Sequence, residues 1–115
     1  MGKMQTRFDE VARLVEEDAK VSGANVALHM SKLMEESGEF AQEVNKNLGI
    51  KTKKSSDTPA VITDNIAQEA ADMIQIIIGV CHLNGVTYDH VMDQLKKKNY
   101  VYSKFIESKR KQYET

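Results

Sequence analysis

Apolar residues recur along this chain with helical spacing, and four segments carry the pattern. Over residues 5–21, Phe8, Val11, Ala12, Leu14 and Val15 share one side of a helical wheel and charged residues fill the rest, which predicts an amphipathic helix. Ser22 and Gly23 break it, and Asn25 is placed to cap the next. A second helix is expected over Val26–Asn47, stopping near Gly49, with Met30, Leu33, Met34, Phe40, Ala41 and Val44 as its apolar arc. The third is expected from a Thr63 N-cap, with Asp64 in its first turn, to Asn84 and Gly85. Its β-branched run IIIGV continues the helical pattern of Ile66, Ala70, Met73 and Ile77, and the length of that pattern favours helix over strand. Gly79, in its interior, marks close approach of another helix.

Thr87 is placed to cap a fourth helix whose apolar contacts come from Val91, Met92, Leu95, Val101, Tyr102, Phe105 and Ile106. The polar stretch that follows, residues 107–115, is expected to fray. Residues 48–63, with Pro59 and the lysines Lys51, Lys53 and Lys54, read as a connection whose charges either keep it solvated or approach a bound polyphosphate. There is no repeat and no strand pair, so the expected fold is a single all-α domain over residues 1–115, built as a four-helix bundle.

Composition narrows the possible partners. Sixteen basic and seventeen acidic residues give a net charge of −1, which offers no overall drive toward nucleic acid or an anionic membrane. The charge is uneven, with Lys96, Lys97, Lys98, Lys104, Lys109, Arg110 and Lys111 crowding the last twenty positions, where they would suit an anionic substrate. The lone Cys81 lies in an apolar helix and reads as core, which agrees with a reducing, cytoplasmic setting. No apolar run approaches the roughly 20 residues of a bilayer span, so none is expected.

The chemistry lies in the acids. Glu69 and Asp72 are about 60° apart on the most apolar helix, beside Ile76 and Val80, so both point toward packed surface. Two ionised carboxylates there repel each other and lose hydration, and a divalent cation is the simplest remedy. The second helix carries a matching pair, Glu36 and Glu39, with Glu43 one turn on and Glu35 directed away from the apolar arc. If the two helices pack antiparallel, the pairs can face each other as an all-oxygen site. Such a ligand set indicates Mg²⁺, or Mn²⁺, rather than zinc. A di-iron carboxylate bundle would need Glu-x-x-His, which does not occur, so His29, His82 and His90 lack ligand spacing.

Lys32-Leu33-Met34-Glu35-Glu36-Ser37-Gly38-Glu39, followed further on by Glu69-Ala70-Ala71-Asp72, resembles the Glu-Glu-x-x-Glu and Glu-x-x-Asp motifs of the MazG-like nucleotide pyrophosphohydrolases, over residues 28 to about 105. The resemblance implies an all-α fold assembling as dimers or tetramers. It also implies Mg²⁺-dependent cleavage of nucleoside triphosphates between the α and β phosphates, as in nucleotide-pool house-cleaning. Glu36, Glu39, Glu69 and Asp72 match the metal ligands and catalytic acids. One of these, or Glu35 or Glu43, would activate water. Lys98, Asn99 and Tyr102 resemble substrate-contacting positions, although Val101 stands where many relatives carry a basic residue. Two other readings stay open: a phosphoribosyl-ATP pyrophosphohydrolase or dUTPase-like or dCTPase-like branch, and a non-catalytic helical interaction module.

Overall fold

The structure, a computed structural model, describes residues 2–49 and 58–114. Four helices follow in order: α1 (Lys3–Ser22), α2 (Val26–Asn47), α3 (Pro59–Leu83) and α4 (Tyr88–Glu114). No strand occurs among the described residues, so the all-α expectation stands. The lysines Lys51, Lys53 and Lys54 lie outside the described residues.

Local chemistry sets most helix ends. Gly23 closes α1 in the left-handed region at φ 72°, where a β-carbon is costly, and its N–H donates to the Ala19 carbonyl. The Asn25 side chain accepts from the Leu28 N–H at 3.1 Å and opens α2. The expected start of α3 is corrected: Thr58, not Thr63, is the N-cap, accepting from the Val61 N–H at 3.3 Å. Pro59 then occupies the first turn, where its missing N–H costs nothing. Thr63 is inside the helix and donates its hydroxyl to the Pro59 carbonyl. At the other end of the chain, the expected fraying of residues 107–115 is also corrected, because α4 continues to Glu114. Lys104 pairs with Glu107 at 3.3 Å and the Lys109 ammonium lies 4.6 Å from the centre of the Phe105 ring, and the good helix formers Lys109, Arg110, Lys111 and Gln112 follow.

The chain forms two compact units, residues 1–84 and residues 85–115. In the first, α3 is the central element, packed extensively on α2 and less extensively on α1. Phe8 and Val15 of α1 and Ile62, Ile76, Ile78 and Gly79 of α3 are buried. By length and composition alone α3 is long and apolar enough to cross a bilayer. That is a property of the helix as a whole; its apolar residues are interrupted by polar ones, and no unbroken apolar run reaches such a length.

On α2 the inward face is displaced from the expected arc. Leu33, Phe40 and Val44 are half-buried and Glu36 is buried, whereas Met30, Met34 and Ala41 are exposed, Met34 to 75%. Packing against α3 covers one stripe of α2, and the methionine side of the helix lies beyond it. The second unit consists mainly of α4, which buries no residue of its own. Tyr88, Met92, Leu95, Asn99, Tyr102 and Ile106 follow one another on it in alternating steps of four and three, as along a helix seam.

Gly79 meets the close approach expected of it. A β-carbon there would stand 2.8 Å from Val15 Cγ2, and valine is stiff about χ1. Gly79→Ala should therefore destabilise the fold by about 1–3 kcal/mol despite the better helix propensity of alanine. Val15→Ala in the same chain should recover part of the loss, and urea unfolding of the four proteins in a double-mutant cycle measures that coupling.

Candidate metal centre

Helices α2 and α3 run antiparallel through the site. Glu43 Oε2 accepts from Asn65 Nδ2 at 3.4 Å, and seven residues earlier on α2, Glu36 meets Glu69 and Asp72, which lie later on α3. Glu36, Glu69 and Asp72 each bring one carboxylate oxygen within 4.8 Å of the others. Glu35, Glu36 and Glu39 form a second group by the same measure, so Glu36 belongs to both. Neither group includes a histidine or cysteine.

Burial makes this arrangement costly. Glu36 is only 5% exposed, Glu69 is half-buried, and Glu35, Glu39 and Asp72 are exposed. Lys32, one turn earlier, places its ammonium 3.1 Å from Glu36 Oε1 and 3.5 Å from Glu35 Oε1. The other oxygen of Glu36 and one oxygen of Glu69 are buried with no hydrogen-bond partner. A buried acceptor in that condition is costly, and more so when charged.

The protonation balance follows from these contacts. The hydrogen bond from Lys32 is the main influence holding Glu36 below the usual carboxylate range, with the Glu69 carboxyl acting in the same direction. Glu69 is pushed the other way, up to about 7, chiefly by its hydrogen bond with Glu36, then by burial and the negative charges of Glu39, Glu36 and Asp72. The pair titrates together, with Glu36 keeping its charge and Glu69 keeping the proton. Three carboxylates around two orphaned oxygens, with oxygen donors only, fit a hard divalent cation such as Mg²⁺.

The other expected site residues are placed as follows. Glu39 is beside Glu35 and Glu36 on the exposed edge. Glu35 points away from the apolar arc, as expected, yet remains within reach of Glu36 through their shared group. Both oxygens of Glu43 have partners, Lys46 Nζ at 3.0 Å and Asn65 Nδ2, so it braces α2 against α3. Lys98, Asn99 and Tyr102 are exposed on α4, in the second unit. Asn99 and Tyr102 border a shallow depression along that helix with Ser103 and Arg110. His82 pairs with Glu16 at 2.8 Å and ties α3 to α1. The residue overlooked in the sequence is Lys32. Its spacing of three and four residues from Glu35 and Glu36 was the available signal for an ion pair.

No curated protein and no solved structure shows detectable similarity to this chain. A family model described as phosphoribosyl-ATP pyrophosphohydrolase does match, over residues 4–99, which takes in every acid of the site. The chain belongs to the phosphoribosyl-ATP pyrophosphohydrolase family, within the all-α NTP pyrophosphatase superfamily, and is thereby a pyrophosphohydrolase acting on phosphoric anhydrides.

Proposed function

We propose that this protein is a Mg²⁺-dependent nucleoside triphosphate pyrophosphohydrolase that converts a (d)NTP to the monophosphate and pyrophosphate, working in the cytoplasm to clean or balance the nucleotide pool. The observation that carries the reading is the convergence of Glu36, Glu69 and Asp72 around two buried, unpartnered carboxylate oxygens. These three, with Glu39 at the edge, would hold the cation. When bound, Mg²⁺ supplies neutralisation of the phosphate oxygens and lowers the pKa of coordinated water.

Within the chain, Lys32 keeps Glu36 ionised and ready to ligate. A carboxylate of the cluster not engaged by the cation takes the proton from the attacking water. Water adds to the α-phosphorus, the bond from that phosphorus to the bridging oxygen breaks, and pyrophosphate leaves with the electron pair. Glu35 and Glu39 are exposed at the edge of the cluster, where a water can reach them. Lys98, Asn99 and Tyr102 are assigned to contacts with substrate, on the strength of their motif positions.

The family match favours a second reading, phosphoribosyl-ATP as the substrate. The same bond is cleaved, so the two differ in what is attached to the adenine-bearing nucleotide and not in the site. Parallel kinetics with phosphoribosyl-ATP and a panel of (d)NTPs decide between them. We also assign the working form to a homo-oligomer, because Met34, Leu95, Tyr102, Phe105 and Ile106 are exposed and a partner copy would cover them.

Pyrophosphate release from the panel with Mg²⁺ is expected for at least one nucleotide. Glu39→Gln and Asp72→Asn should each lower kcat/KM by more than ~100-fold with unchanged helicity, since they remove ligands and not packing atoms. Absence of turnover with the cation demonstrably bound would overturn the assignment.

Proton and metal should compete. Glu69 keeps its proton to about pH 7 in the folded chain but loses it near 4.5 once unfolded, so the folded state binds more protons between those values. The Glu69 contribution to metal-free stability is therefore fully present below the lower value and is lost as pH rises through 7. Glu69→Gln should flatten that fall, and Mg²⁺ should raise the melting temperature more at pH 8 than at pH 5.5. Thermal melts across pH with and without Mg²⁺ test this.

Light scattering should give at least twice the 13.0 kDa mass of one chain. Ile106→Glu on the α4 stripe should lower that value.

A further inference from the structure

Along the α2–α3 seam from the carboxylates, the same helix faces line a cavity of about 230 Å³. His29 is seven residues before Glu36 and Ile76 seven after Glu69, and seven residues return a helix to nearly the same direction about 10 Å further on. The cavity is thus one to two helical turns from the metal centre, on the continuing stripe of both helices. Helix α1 closes it with Val11, Leu14 and Val15.

Its chemistry differs from that of the metal centre. No lysine or arginine lines it, so nothing there favours a phosphate. The polar groups are the His29 ring, the Gln75 amide and the Asp18 carboxylate, set in an apolar wall. Asp18 Oδ1 accepts from Ser22 Oγ at 2.7 Å, which leaves its other oxygen to accept from a ligand. His29 lines the cavity, and its Nε2 is buried without a protein partner. A few directional donors and acceptors on an apolar wall select a flat, neutral heterocycle with its own N–H and ring-nitrogen groups.

We propose that this cavity is the subsite for the base of the nucleotide, with His29 as a specificity-determining residue. The proposal rests on the phosphoanhydride reading of the carboxylate site, one to two helical turns away, and it goes beyond that reading by naming what selects the substrate.

The test uses wild type, His29→Gln and Leu14→Trp, the last filling the cavity from a half-exposed position, with folding checked by circular dichroism. Values of kcat/KM are measured for ATP, GTP, CTP and UTP with Mg²⁺. The wild type should prefer one base by roughly tenfold or more, as expected of a site built from hydrogen-bonding groups. Both variants should shrink that preference roughly fivefold through KM, at an unchanged Mg²⁺ midpoint. A second readout needs no turnover: titration with the four phosphate-free nucleosides should shift the His29 ring resonances in ¹H–¹⁵N spectra, and Leu14→Trp should abolish the shift. Variants that slow all four triphosphates equally, or nucleosides that leave His29 unmoved, overturn the proposal. If the wild type hydrolyses none of the four triphosphates yet a nucleoside shifts His29, the cavity assignment survives and the nucleoside triphosphate reading falls.

Discussion

A carboxylate taken out of water needs something in exchange, and in this protein Glu36 obtains only half of it. Lys32 satisfies one oxygen, while the other is buried beside the α2–α3 interface and finds no donor there unless the Glu69 carboxyl carries a proton. In a purely structural role such a pair would be replaced at little loss by apolar side chains of similar volume. Here it occupies the interface most heavily packed in the first unit. The cost is offset when a proton or a cation bridges the two acids, and the raised affinity of Glu69 for its proton is the metal-free form of that compensation.

The surrounding contacts keep the two acids in register. Glu43 and Asn65 fasten α2 to α3 beyond the cluster, while Gly79 admits Val15 and His82 engages Glu16, so that α1 is seated on the far part of α3. These are polar or steric devices at the ends of a modest apolar core, in which Phe8, Val15, Ile62, Ile76 and Ile78 are the buried hydrophobic side chains among the described residues. The carboxylates thus occupy the middle of the α2–α3 seam, between fastenings. Rigid helices and not loops hold them, which favours precise ligand placement.

Much of this was readable from local chemistry. Asn25 announced the start of α2, Gly79 announced a close helix contact, and the i, i+3 acids announced a shared site, because capping, steric and wheel arguments each need only a few neighbours. The failures came where two local signals competed or where tertiary packing decided. Thr63 and Asp64 imitate a helix start, yet Thr58 with Pro59 is the one used. Met30 and Met34 looked like core on the wheel, but which side of α2 faces α3 is decided by the match between the helices, and that match buries Glu36 instead. Lys32 went unread for a related reason: an ion pair at helical spacing matters only once its acid is buried. The polar residues past Ile106 read as a frayed end, yet Glu107 pairs back with Lys104 and Lys109 lies over Phe105, so the helix carries on.

The antiparallel seam between α2 and α3 also governs how this family can change. Its functional groups recur at heptad distance, Glu36 to Glu43 on one strand of the seam and Glu69 to Ile76 on the other. A single inserted or deleted residue within either interval would swing everything beyond it by about 100°, sending Glu43 away from Asn65 while Glu36 still met its partners. Exchange of one side chain for another carries no such penalty. Residues around the cavity can thus be exchanged without disturbing the register of the seam, whereas a change of spacing within either helix cannot be absorbed in that way.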